Sequence, residues 1–194
     1  MSDERFGVVA AGFSGDTATA RAALGNPDAT VRASALRALA RADGLAPHDL
    51  AAATGDTDAN VRRTAAELAA RVAGVELAPM IDDPDVYVAE MAAWALGERA
   101  AHEDHEIDAL VRAATGHAEP LVREAATAAL GAVGDPRGLD AILAACNDKP
   151  AVRRRAVLAL ASFDDPRVEE ALRAALTDRD WQVRQNAEDM LDPR

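Results

Sequence analysis

Small apolar side chains recur along this chain at i, i+4 and i+8, a spacing that gathers them on one stripe of an α-helix. The stripe sits inside a longer pattern, acid-x-x-Val-Arg-x-x-x-Ala-x-x-x-Leu, which appears six times. Its copies centre on Val31-Arg32, Val61-Arg62, Val88-Ala89, Val122-Arg123, Val152-Arg153 and Val183-Arg184, at intervals of 30, 27, 34, 30 and 31 residues. Four residues past each valine stands Ala35, Ala65, Ala92, Ala126, Ala156 or Ala187. Eight past it comes Leu39, Leu96, Leu130, Leu160 or Leu191, and in the second copy the leucine slips to Leu68.

Three residues before each valine stand Asp28, Asp58, Asp85, Glu119, Lys149 and Asp180, where a helix N-cap acceptor belongs. Pro120 and Pro150 follow at the first helical position. Lys149 cannot accept a capping hydrogen bond, so Asp148 is expected to substitute or the helix end to fray. Shorter helical stretches precede the turns at Thr17–Leu24, His48–Ala53, Ile107–Ala114, Gly138–Ala145 and Val168–Leu176. In copy three the segment before the turn contains Pro79 and predicts a single turn. The insert Glu98–His105 follows it, and the stack is expected to change direction around residues 75–106.

One amphipathic helix pair cannot bury its own apolar face, whereas stacked pairs bury each other's. The pattern therefore predicts an all-α fold, a right-handed α-solenoid of HEAT/armadillo-like superhelix type, with six helix pairs and an N-terminal capping helix. Expected repeat bounds are 16–43, 44–73, 74–101, 102–134, 135–164 and 165–194, within a single domain spanning 1–194. Residues 3–13 form the cap, with Phe6, Val8, Val9 and Phe13 available to cover the first pair. At the other end Glu188 replaces an apolar residue, as suits a terminal helix. Asp192-Pro193-Arg194 echoes Asp135-Pro136-Arg137 and Asp165-Pro166-Arg167.

Composition sharpens this picture. Alanine fills 49 of the 194 positions and aromatic residues only 3 %, which favours close helix–helix contact. The formal charge of −12, from 33 acidic and 21 basic residues, argues against general phosphate binding. Cys146 is the single cysteine, so neither an intrachain disulfide nor a cysteine-rich zinc site can form. No apolar run approaches a membrane span, and Met1-Ser2-Asp3-Glu4-Arg5 lacks the basic flank of a secretion signal. The expected location is cytoplasmic.

Gly134-Asp135-Pro136-Arg137 leading to Leu139 and Ile142, followed by Val152-Arg153, Ala156 and Leu160, closely resembles the HEAT-like repeat named after phycobilisome (bilin) lyases. Asp165-Pro166-Arg167 through Leu191 repeats the match. The resemblance implies that second helices line a concave surface and that a turn Asp or Asn pairs with the Arg after the valine. The implied ladder is Asn26–Arg32, Asp56–Arg62, Asp148–Arg153 and Asp178–Arg184. His117 would replace the partner of Arg123, and Ala89 would abolish the third rung. Fold alone does not assign activity, since repeats of this kind serve lyases, scaffolds and iron hydroxylases.

His102-Glu103-Asp104-His105-Glu106 offers metal-ligand chemistry, with His102 and His105 as candidate ligands. HEAT-type deoxyhypusine hydroxylases resemble it in using His-Glu pairs, but those converge from separate repeats, whereas these crowd into one insert. The expectation is a solvated loop with no metal and no cofactor. Cys146 ends an apolar helix stretch and is expected to be a buried structural thiol.

Positions two, six and ten past each valine approximate the inner surface. They give Ala33, Arg37 and Arg41; Arg63, Glu67 and Arg71; Glu90, Trp94 and Glu98; Glu124 and Ala128; Arg154 and Leu158. Mixed charges around an aromatic suit a protein-binding groove. The expected function is a non-catalytic protein–protein interaction scaffold whose partner is another protein or peptide. One alternative is an enzyme or accessory subunit of the lyase or hydroxylase type. Another is nucleic-acid binding through Arg37, Arg41, Arg63 and Arg71.

Overall fold

The computed structural model describes residues 3–192, and among them it contains twelve α-helices and no strand. In chain order they are α1 (Asp3–Ser14), α2 (Thr17–Ala22), α3 (Ala29–Arg41), α4 (Pro47–Ala53), α5 (Ala59–Ala69) and α6 (Val86–Gly97). Then come α7 (Asp104–Gly116), α8 (Pro120–Val133), α9 (Leu139–Ala145), α10 (Pro150–Ala159), α11 (Pro166–Ala175) and α12 (Trp181–Leu191). Short 3-10 turns complete several helix ends, and one of them, Ala78–Asp82, is all that precedes the turn in copy three. The chain divides into two compact units, Met1–Ala95 and Leu96–Arg194.

Each unit is built on the predicted stripe. All six pattern valines are at most 1 % exposed, and all six pattern alanines are fully buried. Leu39, Leu96, Leu130 and Leu160 are fully buried as well, while Leu68 and Leu191 are half-buried. In the first unit α3 packs between α1 and α5; in the second, α10 packs between α8 and α12. The alanine content has a direct steric reason at these contacts. A Cβ added to Gly131 would stand 2.6 Å from the Ala159 Cβ, and one on Gly97 would stand 2.8 Å from the Ala129 Cα. In the first unit a Cβ added to Gly12 would likewise stand 2.8 Å from the Ala38 Cα. At these three positions nothing larger than glycine fits against the neighbouring helix.

Side-chain caps start most of those helices. Asp28 accepts from the Thr30 N–H, Asp58 and Asp85 from two N–H groups each, and Asp180 from Gln182 and Val183. Glu119 and Lys149 make no such bond. The expected substitution by Asp148 does not occur: its carboxylate accepts from the Lys149 N–H and turns to Arg123 instead. The helix does not fray, because Pro150 opens it with φ already restricted and no N–H to satisfy. At the far end of α8, Gly134 adopts φ 67° and its N–H donates to the Leu130 carbonyl, closing the helix.

Two expectations at the N-terminus are corrected. α1 does pack along α3, but it does so through Val8, Ala11 and Gly12, leaving Phe6 and Phe13 62 % and 73 % exposed. The close Gly12–Ala38 approach leaves no room for an aromatic ring between the helices. Ala33, assigned to the inner surface, is buried on α3, which α1 and α5 cover from either side. At the other end, Glu188 is exposed.

Buried polar groups are all satisfied. Ser34, Thr64 and Thr127 each donate to the carbonyl four residues back at 2.7 Å. Among the described residues no buried side-chain nitrogen or oxygen lacks a partner.

Candidate functional site

The turns between helices organise the arginines after the valines, in a register different from the one the resemblance implies. Each arginine reaches the carbonyl of its own turn, not the side chain: Arg32 to Asn26 O, Arg62 to Asp56 O, Arg123 to His117 O, Arg153 to Asp148 O and Arg184 to Asp178 O, at 2.7–2.9 Å. The carboxylate comes from the following turn. Nε and Nη2 of Arg32 donate to Asp56, those of Arg62 to Asp83, those of Arg123 to Asp148 and those of Arg153 to Asp178, all at 2.6–2.8 Å. Replacing an aspartate by His117 therefore costs Arg123 nothing, since only the backbone carbonyl is needed there. Asp83, absent from the expected ladder, is a full member.

The same aspartates hold their turns. Asp56, Asp83 and Asp178 each accept the N–H two residues on. Hydrogen bonds from Arg32, Arg123 and Arg153 hold the carboxyls of Asp56, Asp148 and Asp178 below the usual range. At Asp83 burial pushes the opposite way, but Arg62 and the Asp85 N–H prevail and its pKa too is lowered. Such two-pronged pairs fix spacing and angle together.

The expected inner-surface residues are dispersed. In the first unit Arg37 and Glu67 face each other at 3.2 Å, and Arg41 lies 4.3 Å over the Phe13 ring. Those two arginines are thereby partnered, while Arg63 and Arg71 are exposed. Glu90 is half-buried and Trp94 is 42 % exposed on the same helix. In the second unit Glu98 is exposed, and Glu124, Arg154 and Leu158 come together.

They line a groove of about 480 Å³ along α8, α10 and α12, which also takes in Arg155, Trp181, Gln182, Gln185 and Asn186. Leu158 and Trp181 present apolar surface to solvent, 46 % and 64 % exposed. The charges cancel in pairs: Arg154 grips both oxygens of Asp180, and Arg155 stands 3.7 Å from Glu124. The Arg154 contact, with the α12 N–H groups, holds the Asp180 carboxyl down at about 2, so it stays ionised. Gln185 is bonded to Asp189, and Asn186 makes one long contact of 3.4 Å to the Arg154 carbonyl. Trp181, Gln182, Gln185 and Asn186 are absent from the expected inner surface, although Gln185 stands two past Val183, because α12 reads as a terminal cap. A signal existed: Trp181 occupies the first helical position, where the other copies have Ala29, Ala59, Val86, Pro120 and Pro150.

The histidine-acid insert is engaged in helix initiation. The His102 Nε2–H donates to the Leu96 carbonyl at 2.7 Å, and the buried Glu106 accepts from Arg99 and from the Glu103 N–H. Asp104 pairs with Arg137 at 3.0 Å. Among the described residues no group of three or more His, Cys, Asp or Glu side chains is placed to hold a metal ion. Cys146 is half-buried rather than fully buried, and burial pushes its thiol up to about 11, away from nucleophilic use at neutral pH. No helix among the described residues is long and apolar enough to cross a membrane.

Paired helices with a repeated Val-Arg turn, linked by arginine–aspartate rungs, define an α-solenoid repeat protein. The chain belongs to the HEAT-repeat family: the family pattern described as HEAT repeats matches residues 74–151 and 147–192. Solved structures share the fold at low identity. The Escherichia coli protein YibA aligns over 98 % of this chain and 75 % of its own, with a TM-score of 0.69 and 16 % identity. The complex of CpcE and CpcF of phycocyanin lyase from Nostoc aligns over 75 % and 98 %, with a TM-score of 0.61 and 21 % identity. A designed armadillo repeat protein in complex with the peptide (KR)4 aligns over 91 % and 97 %, with a TM-score of 0.63 and 18 % identity. No curated protein matches the chain in sequence.

Proposed function

We propose that this protein is a non-catalytic interaction module that binds a segment of another polypeptide along its second helices, chiefly in the groove of α8, α10 and α12. The observation that carries this is the pairing of exposed Leu158 and Trp181 in one groove lined otherwise by Ala151, amides and self-neutralised ion pairs. Exposed aromatic and aliphatic anchors ringed by polar groups are what binding hot spots use. The cancelled charges favour an uncharged stretch carrying one large apolar side chain, which would sit between Leu158 and Trp181. The Gln182 and Asn186 amides would then meet its backbone. The rungs hold the helices in place beforehand, so little conformational entropy is lost on docking. The designed armadillo neighbour with its bound peptide and the CpcE–CpcF complex support this mode by analogy of fold.

The test is selection from a random-peptide display library against the intact protein. Enriched peptides should share an apolar position, and Trp181→Ala and Leu158→Asn should each weaken them at least roughly tenfold, as hot-spot truncations do. Failure to enrich any peptide, or affinities indifferent to both substitutions, would contradict the reading.

A further inference from the structure

One face of the first unit carries charge opposite in sign to that of the whole chain. The exposed side chains of α3 and α5 are Thr30, Arg37, Arg41, Asn60, Arg63 and Glu67, and Arg71 follows in the turn after α5. That sets four guanidinium groups against one carboxylate, in a chain whose acidic residues outnumber its basic ones 33 to 21. The two helices adjoin, since Arg37 on α3 meets Glu67 on α5 at 3.2 Å. Spacing of four places Arg41 one turn beyond Arg37 and Arg63 one turn before Glu67, so these side chains share one face around that contact. Arg71, four past Glu67, continues the row beyond the helix end. Unlike the rung arginines, these are weakly engaged. Arg37 and Glu67 stay 45 % and 44 % exposed in their contact, and Arg41 lies over the Phe13 ring, with no acceptor for its N–H groups among the described residues. Among the same residues the side chains of Arg63 and Arg71 have no partner.

We propose that this face docks an acidic stretch of another polypeptide, whose Asp and Glu carboxylates are held by Arg41, Arg63 and Arg71. Guanidinium forks donate to carboxylates in two parallel hydrogen bonds, and a ligand of opposite sign also relieves the repulsion among the arginines themselves. The same charge balance decides against a nucleic acid. Phosphates repeating along a strand would run past four cations onto a protein of charge −12, whereas a short acidic segment can be matched to the patch alone. Glu67, standing within the row, engages Arg37 and repels any further carboxylate, so it limits how many the face accepts. The groove of α8, α10 and α12 belongs to the other unit and suits an uncharged stretch, so either site stands without the other.

The test is fluorescence anisotropy of a labelled octaglutamate peptide titrated with the full chain. It is run in about 0.1 M salt, where a Debye length of about 10 Å screens the chain's overall charge but not direct contacts. The peptide should bind, and Arg63→Gln combined with Arg71→Gln should weaken it roughly tenfold, as the loss of two exposed charge pairs does. Glu67→Gln should tighten it about threefold. Because Arg63 and Arg71 are exposed, circular dichroism and Tm of the double variant should match those of the parent. Trp181→Ala should leave octaglutamate binding unchanged, which keeps this outcome separate from that of the groove. An oligothymidylate of the same charge should bind at least roughly tenfold more weakly than the peptide. No binding of octaglutamate, binding indifferent to the paired arginine substitutions or weakened by Glu67→Gln, or oligothymidylate held as tightly as the peptide would each overturn the proposal.

Discussion

Arg153 and Asp178 lie 25 residues apart in sequence, yet their side chains meet as two forks, Nε to one carboxylate oxygen at 2.8 Å and Nη2 to the other at 2.7 Å. Both are largely screened from water, with side chains 6 % and 15 % exposed. Removing one partner of such a pair leaves the other charge buried and unpaired. Asp178→Asn is therefore expected to cost about 3 kcal/mol in urea unfolding. Arg137→Ala removes a side chain 44 % exposed and breaks its contacts to Asp135 and Asp104, so it should cost far less than Asp178→Asn in the same measurement.

The acid limb of the stability curve follows from the same rungs. Asp56, Asp83, Asp148 and Asp178 hold their carboxyls below the ordinary value in the folded chain. The unfolded chain thus takes up protons first. The stability that these groups contribute is whole above about pH 4 and is lost as pH falls through their lower folded values. Tm should be nearly flat from about pH 6 to 5 and drop steeply below about 4, and Asp178→Asn should make that drop shallower.

Two glycines offer a steric contrast. Inside an ordinary helix Gly→Ala stabilises by about 1 kcal/mol. Gly7, in α1, has open space where a methyl group would stand, so Gly7→Ala should show that gain in urea unfolding. At Gly131 the added methyl would strike Ala159, and Gly131→Ala should instead destabilise by about 1–3 kcal/mol.

The raised thiol pKa of Cys146, about 11 against an ordinary 9.0, leaves roughly one thiol in a thousand ionised at pH 8. Alkylation by iodoacetamide should be about a hundredfold slower in the native protein than in urea.

Most of the fold was legible because it is written in repetition. The six valines and six alanines share one stripe, and a helical stripe of that spacing has only one way to be buried. The third copy's single turn followed from Pro79. What the sequence hid were relations between copies. The family resemblance implied Asn26 as the side-chain partner of Arg32; only the packed turns show that the local contact is a carbonyl and that the carboxylate comes from Asp56. Phe6 and Phe13 suggested a lid by composition, but the close approach of Gly12 to Ala38 dictates which face turns inward. The groove was half legible: Glu124, Arg154 and Leu158 fell on the positions read, whereas Trp181, two residues before its valine, lies one step of four ahead of them, at the start of a helix that reads as a cap.

The most direct test of the interaction reading is an NMR titration of the intact protein with a peptide selected for binding. The Leu158 methyl groups and the indole N–H of Trp181 should shift together and saturably, while the indole N–H of Trp94 stays in place. Saturable binding that leaves Leu158 and Trp181 unmoved would contradict the account.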